Sequence, residues 1–214
     1  MRNPWKAAKL DLALVRPYLK VICLTMLLPI AFAAVNRSLF TGVSFAMCFV
    51  AMTTGYPFAV AEKNHMERLY GILPVKKRDL VLGRYLFVLM LGLLALAVSL
   101  LTQPLVLEAM GESVAGGDVL GAAVGGLFLF SLYTVFQLPG YYKFGAIQGR
   151  MFLYLPVAGF LVTLFLLPRL PASAMAAVTG SSPVLLGVLA LALVAVMYGV
   201  SIWCSVRTME HKQL

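Results

Sequence analysis

An all-α membrane protein with six transmembrane helices is the fold class that the sequence predicts, and three observations predict it. Hydrophobic residues make up 62% of the 214 residues and charged residues only 12%, about half the roughly 25% charged residues of a soluble globular domain. The apolar residues collect in runs, nearly free of charge, that are long enough to cross a bilayer. Lys and Arg gather in alternate connections between those runs. A soluble domain of this length could not hide so much apolar surface, so lipid must cover part of it. The runs follow one another so closely that residues 1–214 read as a single transmembrane domain.

In chain order the runs are 18–35, 39–61, 80–107, 119–141, 151–167 and 183–206. A spanning helix needs about 20 residues, within a range of roughly 17–25. The first and fifth runs are therefore short, and the third is long enough to project beyond the hydrocarbon. None shows the alternation of a barrel strand. Ala31-Phe32-Ala33 has the form of a signal-peptide cleavage site, but the segment before the first run is long for an n-region, so that run is expected to remain as span one. Ahead of it, Pro4–Arg16 reads as a short helix at the membrane surface. Its apolar residues Trp5, Ala8, Leu12 and Val15 recur at helical spacing.

Charge sets the orientation. Arg2, Lys6, Lys9, Arg16 and Lys20 lie at the N-terminal side of span one, and Lys63, Arg68, Lys76, Lys77, Arg78 and Arg84 join spans two and three. Lys143 and Arg150 join spans four and five, and Arg207 and Lys212 follow span six, which leaves Arg37 and Arg169 on the other side. Basic residues are retained in the cytoplasm. The expectation is a multi-pass protein of the cell membrane with both termini cytoplasmic. The net charge of +9 is then an orientation and lipid-headgroup charge. It does not indicate a nucleic-acid surface, which would need an aqueous basic face with aromatic platforms.

Several chemistries lack their residues. No G-x-x-x-x-G-K-[ST] loop is present to cradle a nucleotide. Gly111-Glu112-Ser113-Val114-Ala115 misses the G-x-S-x-G pattern at its last position. His65 and His211 fall outside the runs, so no intramembrane Ser–His pair forms. Cys23, Cys48 and Cys204 fall inside spans and are expected to be buried reduced thiols, with neither a disulfide nor a zinc site. The chain is therefore not expected to be an enzyme or to hold a cofactor. Gln103 and Gln137 are the most polar side chains at depth, and ion-coupled transporters usually place Asp, Glu or His there. Pro29, Pro57, Pro104, Pro139 and Pro156 punctuate spans one to five. They read either as hinges or as prolines merely tolerated in lipid. Gly121-Ala122-Ala123-Val124-Gly125 is a small-residue face suited to close helix packing.

The most informative stretch joins spans two and three, from Tyr56 to Leu80. Glu62–Tyr70, containing Glu62, Lys63, Asn64, Glu67 and Arg68, suits a short helix, with Gly71 at its end. Leu73-Pro74-Val75 makes an extended apolar knuckle, because Pro disfavours helix in the residue before it. A new helix starts near Lys76, carrying Lys77 and Arg78, with Asp79 in its first turn. An apolar knuckle between acidic and basic flanks suits a docking surface.

The Glu62-Lys63-Asn64 turn, the Leu73-Pro74-Val75 step, and the basic pair with an acidic residue opening the next span together resemble ABC-2 type transporter permeases. They are most similar to the small six-span permeases whose ATP-binding subunit is a separate chain. Pro139-Gly140-Tyr141-Tyr142-Lys143-Phe144-Gly145 is similar to a second family segment. One departure is Lys76, which stands where the family often has a Ser or Thr helix cap. The resemblance implies a pair of permease subunits, identical or different, above two cytosolic ATPase subunits that hold ATP and Mg. It implies that the loop between spans two and three is a coupling helix seated in the ATPase. It also implies a second cytoplasmic contact at Tyr142, Lys143, Phe144 and Gly145, and export of a hydrophobic or amphipathic peptide, antibiotic or lipid. Two other classes compete: a non-transporting anchor or immunity subunit that recruits the same ATPase, and a lipid-modifying membrane enzyme, for which no nucleophile–base set is present.

The division of Lys and Arg makes the topology testable. In a Cys-free background, Ser113→Cys and Ser173→Cys are expected to react with an impermeant thiol reagent on intact cells, and His65→Cys is not. The opposite pattern inverts the orientation.

Overall fold

The computed structural model describes residues 4–66, 70, 76–166 and 183–211. Among these residues the chain is helical and contains no strand. Helix α1 is Pro4–Val15. Pro17 disfavours helix in the residue before it, and a 3-10 turn, Arg16–Tyr18, carries the chain into α2 (Leu19–Leu27) and α3 (Pro29–Asn36). Leu28 between them keeps helical angles, so the two run on as one rod. Arg37 ends it in the left-handed conformation, and Ser38 caps α4 (Leu39–Thr53) by accepting the Thr41 N–H. Span two breaks at Thr54 and Gly55, and Pro57 lies in the first turn of α5 (Tyr56–Lys63), where its missing N–H costs nothing.

The expected helix from Glu62 to Tyr70 is interrupted. Lys63 ends α5, Asn64 caps it, and His65 takes a positive φ of 51°, a conformation that His tolerates better than most residues. Residues 67–69 and 71–75, with Glu67, Arg68 and the Leu73-Pro74-Val75 knuckle, lie outside the described residues. Helix α6 (Lys77–Ala109) begins as expected, with extended Lys76 at its N-cap and Asp79 in its first turn; no side chain caps it. Its 33 residues make a rod of roughly 50 Å, well beyond the roughly 30 Å hydrocarbon core. Helix α7 (Gly116–Gln148) extends past the expected end of span four and is broken at Gly145. A 3-10 turn, Gly149–Leu153, leads to α8 (Tyr154–Leu166), the described part of the expected fifth span. Helix α9 is Pro183–His211.

Among the described residues five stretches are long and apolar enough to cross a membrane: Pro4–Asn36, Leu39–Lys63, Lys77–Ala109, Gly116–Gly159 and Gly187–His211. Helices α4, α6 and α7 form the centre, around Val43, Met47, Val50, Val88, Phe130 and Leu138. Helix α9 packs on α6 and α7, and α1 lies against α6. Small residues set the spacing, as expected where lipid gives helices no hydrophobic reason to associate. Gly92 makes room for the Phe130 ring and Gly126 for Val43 and Met47. In the Gly121–Gly125 face, Gly125 meets Phe40 while Gly121 meets nothing within 4 Å. Cys23 is exposed rather than buried, because the rod of α2 and α3 packs by one side only.

Helix α1 buries a different stripe from the one its apolar spacing suggests. Ala7, Ala8, Asp11 and Val15 face inward, while Trp5 and Leu12 face outward. The reason is closeness. A Cβ on Gly83 would lie 2.4 Å from the Ala7 Cβ and 2.6 Å from the Pro4 carbonyl oxygen. Only small residues fit between α1 and α6. Gly83→Ala is therefore expected to lower stability by about 1–3 kcal/mol, read as thermal unfolding in detergent. Gly121→Ala, in open space, is expected to be neutral or to stabilise by up to about 1 kcal/mol.

Candidate functional site

The site lies at the basic end of the bundle, where α1, α5, α6 and α7 meet. Asp11 and Arg84, 73 residues apart, are brought together by the α1–α6 contact at Gly83. Asp11 is 3% exposed and Arg84 8%. The guanidinium donates from Nε to Oδ1 and Oδ2 at 3.2 and 3.1 Å, and from NH2 to Oδ1 at 2.8 Å. The plane of Arg matches a carboxylate in this forked geometry, which Lys could not reproduce. The Arg84 Cζ also lies 4.3 Å from the centre of the Phe58 ring on α5, an arrangement that favours the cation electrostatically. Phe58 in turn packs on Tyr141 and edge-on to Tyr142 of α7. The ion pair between α1 and α6 thus meets two other elements, α5 and α7. Tyr70, a described residue within the loop, is buried with Arg84, Asp11 and Tyr142 around one small cavity. Burial pushes the Tyr70 phenol above its ordinary value, with the Arg84 charge acting in the opposite direction.

Glu62 forms the second link. Gly145 has φ 81° and ψ −178° and divides α7, which leaves the N–H of Ala146 without an intrahelical acceptor. Glu62 Oε2 accepts that N–H at 2.7 Å, across 84 residues. A carboxylate at a restarted helix suits both the free donor and the helix dipole. Sequence reasoning also expects Glu62 to take a backbone N–H, but at the start of its own docking helix. Only glycine suits position 145, since its φ disfavours a side chain and a Cβ there would lie 3.2 Å from Glu62 Oε2.

Hydroxyls fasten α9 to the same end. Tyr85, beside Arg84, shares hydrogen bonds with Ser201 at 2.6 Å and Ser205 at 2.8 Å. Ser201 donates to the Val135 carbonyl at 2.7 Å, and Thr134 meets the Tyr198 hydroxyl at 2.7 Å. At the break in span two, Thr54 donates to Gln137, whose amide donates to Tyr141. Gln103 is fully buried, and neither end of its carboxamide has a partner among the described residues.

The structure brings the two sequence-marked segments together through Glu62 and Gly145. Lys63 and Asn64 are exposed at the end of α5, and Lys76, Lys77, Arg78 and Asp79 open α6. Lys77 donates to the Glu210 carbonyl at 3.4 Å. Tyr142 is buried, whereas Lys143 and Phe144 are exposed. Sequence patterning does not single out Asp11, and it marks Arg84 only as an orientation charge. The signal available was that Asp11 is the sole acidic residue before Glu62, and that Arg84 lies four residues inside an apolar run. Among the described residues no three His, Cys, Asp or Glu side chains converge on a metal position.

Compared with known proteins, residues 8–210 match a family model described as ABC-2 family transporter protein. No curated protein and no solved structure matches the chain.

Removing one partner of a buried ion pair leaves the other charge uncompensated, at a cost of about 3–5 kcal/mol. Asp11→Ala is therefore expected to lower the unfolding temperature sharply in detergent. The double variant Asp11→Leu/Arg84→Met is expected to recover most of the loss, because it leaves no unpaired charge. Equal melting of Asp11→Ala and wild type would show that the pair is not buried.

Proposed function

The chain belongs to the ABC-2 transporter family, and we propose that it is the permease subunit of an ATP-driven exporter. It is a multi-pass membrane protein. In this reading the basic end faces the cytoplasm of the cell membrane, and two permease subunits, identical or different, stand above two ATP-binding subunits. Those subunits hold ATP and Mg, and this chain carries the passage for a hydrophobic or amphipathic peptide, antibiotic or lipid.

The observation that carries the reading is the Glu62–Ala146 hydrogen bond. It ties the expected docking loop, Glu62–Asp79, directly to the segment that ends span four. In the proposed mechanism the Leu73-Pro74-Val75 knuckle seats in the ATPase, and Glu67, Arg68, Lys76, Lys77 and Arg78 at its rim set register and on-rate. ATP-driven closure moves the loop. Glu62 passes the displacement to α7, and the loop's other end passes it to α6. Arg84 and Asp11 pass it on to α1, which continues into span one. Tyr142, Lys143, Phe144 and Gly145 then act chiefly as the receiving segment, since Tyr142 faces inward and Gly145 lies against Glu62. In this mechanism the breaks at Gly55 and Gly145 serve as the points where a cytoplasmic lever meets the membrane part of spans two and four.

Co-purification with the ATP-binding subunit and permease-stimulated ATP hydrolysis test this mechanism. Leu73→Ala is expected to weaken docking by about 1–3 kcal/mol. Lys77→Glu is expected to cost at most about 1 kcal/mol, as a charge at the rim of an interface does. Glu62→Ala is expected to retain the ATPase while losing stimulation. If all three variants bind and stimulate normally, the loop is only a connector. Stimulation that does not respond to any exported compound favours the anchor or immunity role instead.

A further inference from the structure

At the basic end a groove of about 720 Å3 lies between α7 and α9, and the outward-facing Lys143 and Phe144 of the receiving segment line it. Each wall carries an aromatic side chain with a cation above it. On one wall Phe144 and Phe152 stack at 5.4 Å, and the Lys143 ammonium lies 5.2 Å from the Phe144 ring centre. On the other, the Arg207 guanidinium lies 5.3 Å from the ring centre of Trp203. His211 also lines the groove. Among the described residues neither Lys143 nor Arg207 pairs with a carboxylate.

The surface leading to this groove is apolar and continuous. Along α9, Leu189, Leu193, Val196, Val200 and Trp203 follow one another at steps of 4, 3, 4 and 3, and each is more than half exposed. The next step of four reaches Arg207. A helical ridge of aliphatic residues that ends in Trp and then Arg matches the profile of a bilayer from hydrocarbon through interface to headgroup.

We propose that this groove binds one anionic phospholipid, with its phosphate between Lys143 and Arg207 and an acyl chain along the α9 ridge. Basic pockets between spanning helices bind anionic headgroups in this way. Charge complementarity selects this occupant over a second copy of the chain, which would bring its own net charge of +9. The inference needs neither the export reading nor the ATP-binding subunit. It gives the outward half of the Tyr142–Gly145 segment to lipid, while the inward half serves coupling.

The test uses the full-length chain in mild detergent, with lipid retention read by native mass spectrometry. Wild type is expected to retain one phosphatidylglycerol in preference to phosphatidylcholine. Lys143→Gln/Arg207→Gln is expected to weaken retention about 10- to 30-fold. Lys6→Gln/Lys9→Gln, which removes equal charge from α1, is expected to change it less than about twofold, since those lysines lie outside the groove. As a readout independent of any groove variant, brominated phosphatidylglycerol should quench Trp203 fluorescence in a Trp5→Phe background more than brominated phosphatidylcholine does. Equal loss in both charge pairs, or equal quenching by both lipids, would reduce the effect to diffuse electrostatics and overturn the proposal. Equal competition by soluble glycerol phosphate would overturn it in favour of a free-phosphate site. A shift in dimer fraction with lipid retention unchanged would assign the groove to a second copy.

Discussion

The buried Asp11–Arg84 pair is the constraint around which the basic end of this bundle is organised. An Arg four residues inside an apolar run cannot be left unpaired in a low-dielectric setting. Its carboxylate comes from the other end of the sequence, on a helix that must then lie flush against α6. That closeness explains Gly83 and the alanines opposite it, and it explains why α1 turns Trp5 and Leu12 outward. The guanidinium face left over is covered by Phe58, which commits α5 to the same place. One pair therefore positions the N-terminal helix, the end of span two and the start of span three.

The second organising link has a different character. Glu62 is bound to a backbone N–H rather than to a charge, and the N–H is free because Gly145 interrupts its own helix. A break in one span is thus repaired by a side chain from another. Displacing Glu62 leaves a helix start without an acceptor, so the two segments are expected to move together. The hydroxyl ties of Tyr85, Ser201 and Ser205 extend the network to α9. Hydrogen bonds of this kind are modest individually. Their effect here comes from being concentrated in two adjacent turns of α9.

The opposite end of the bundle is joined differently. Arg37 and Glu112 form an exposed pair at 3.2 Å between two connections, of the kind that contributes little to stability. Between the two ends, Gln103 lies fully buried beside Gly42, its carboxamide without a partner among the described residues. The polar contacts that fasten elements to one another are thus concentrated at the basic end, where a displacement of the loop would be received.

Composition, run length and the placement of Lys and Arg were enough to read a multi-pass helical membrane protein from the sequence, because transfer into lipid depends on those quantities alone. The start of α6 near Lys76 was also legible, since proline and charge act locally on the backbone, whereas the Gly145 segment was marked only by its resemblance to the family and the Glu62–Tyr70 helix was expected to be unbroken. What the sequence could not supply was the inward face of each span. In lipid both faces of a helix are apolar, so periodicity does not distinguish them, and α1 shows the result by burying Asp11 and exposing Trp5. The joining of Asp11 to Arg84 and of Glu62 to Ala146, across 73 and 84 residues, was decided by tertiary packing. The physical reason is that a buried charge or a freed N–H states only that it needs a partner, and the geometry of close-packed helices determines which partner it meets.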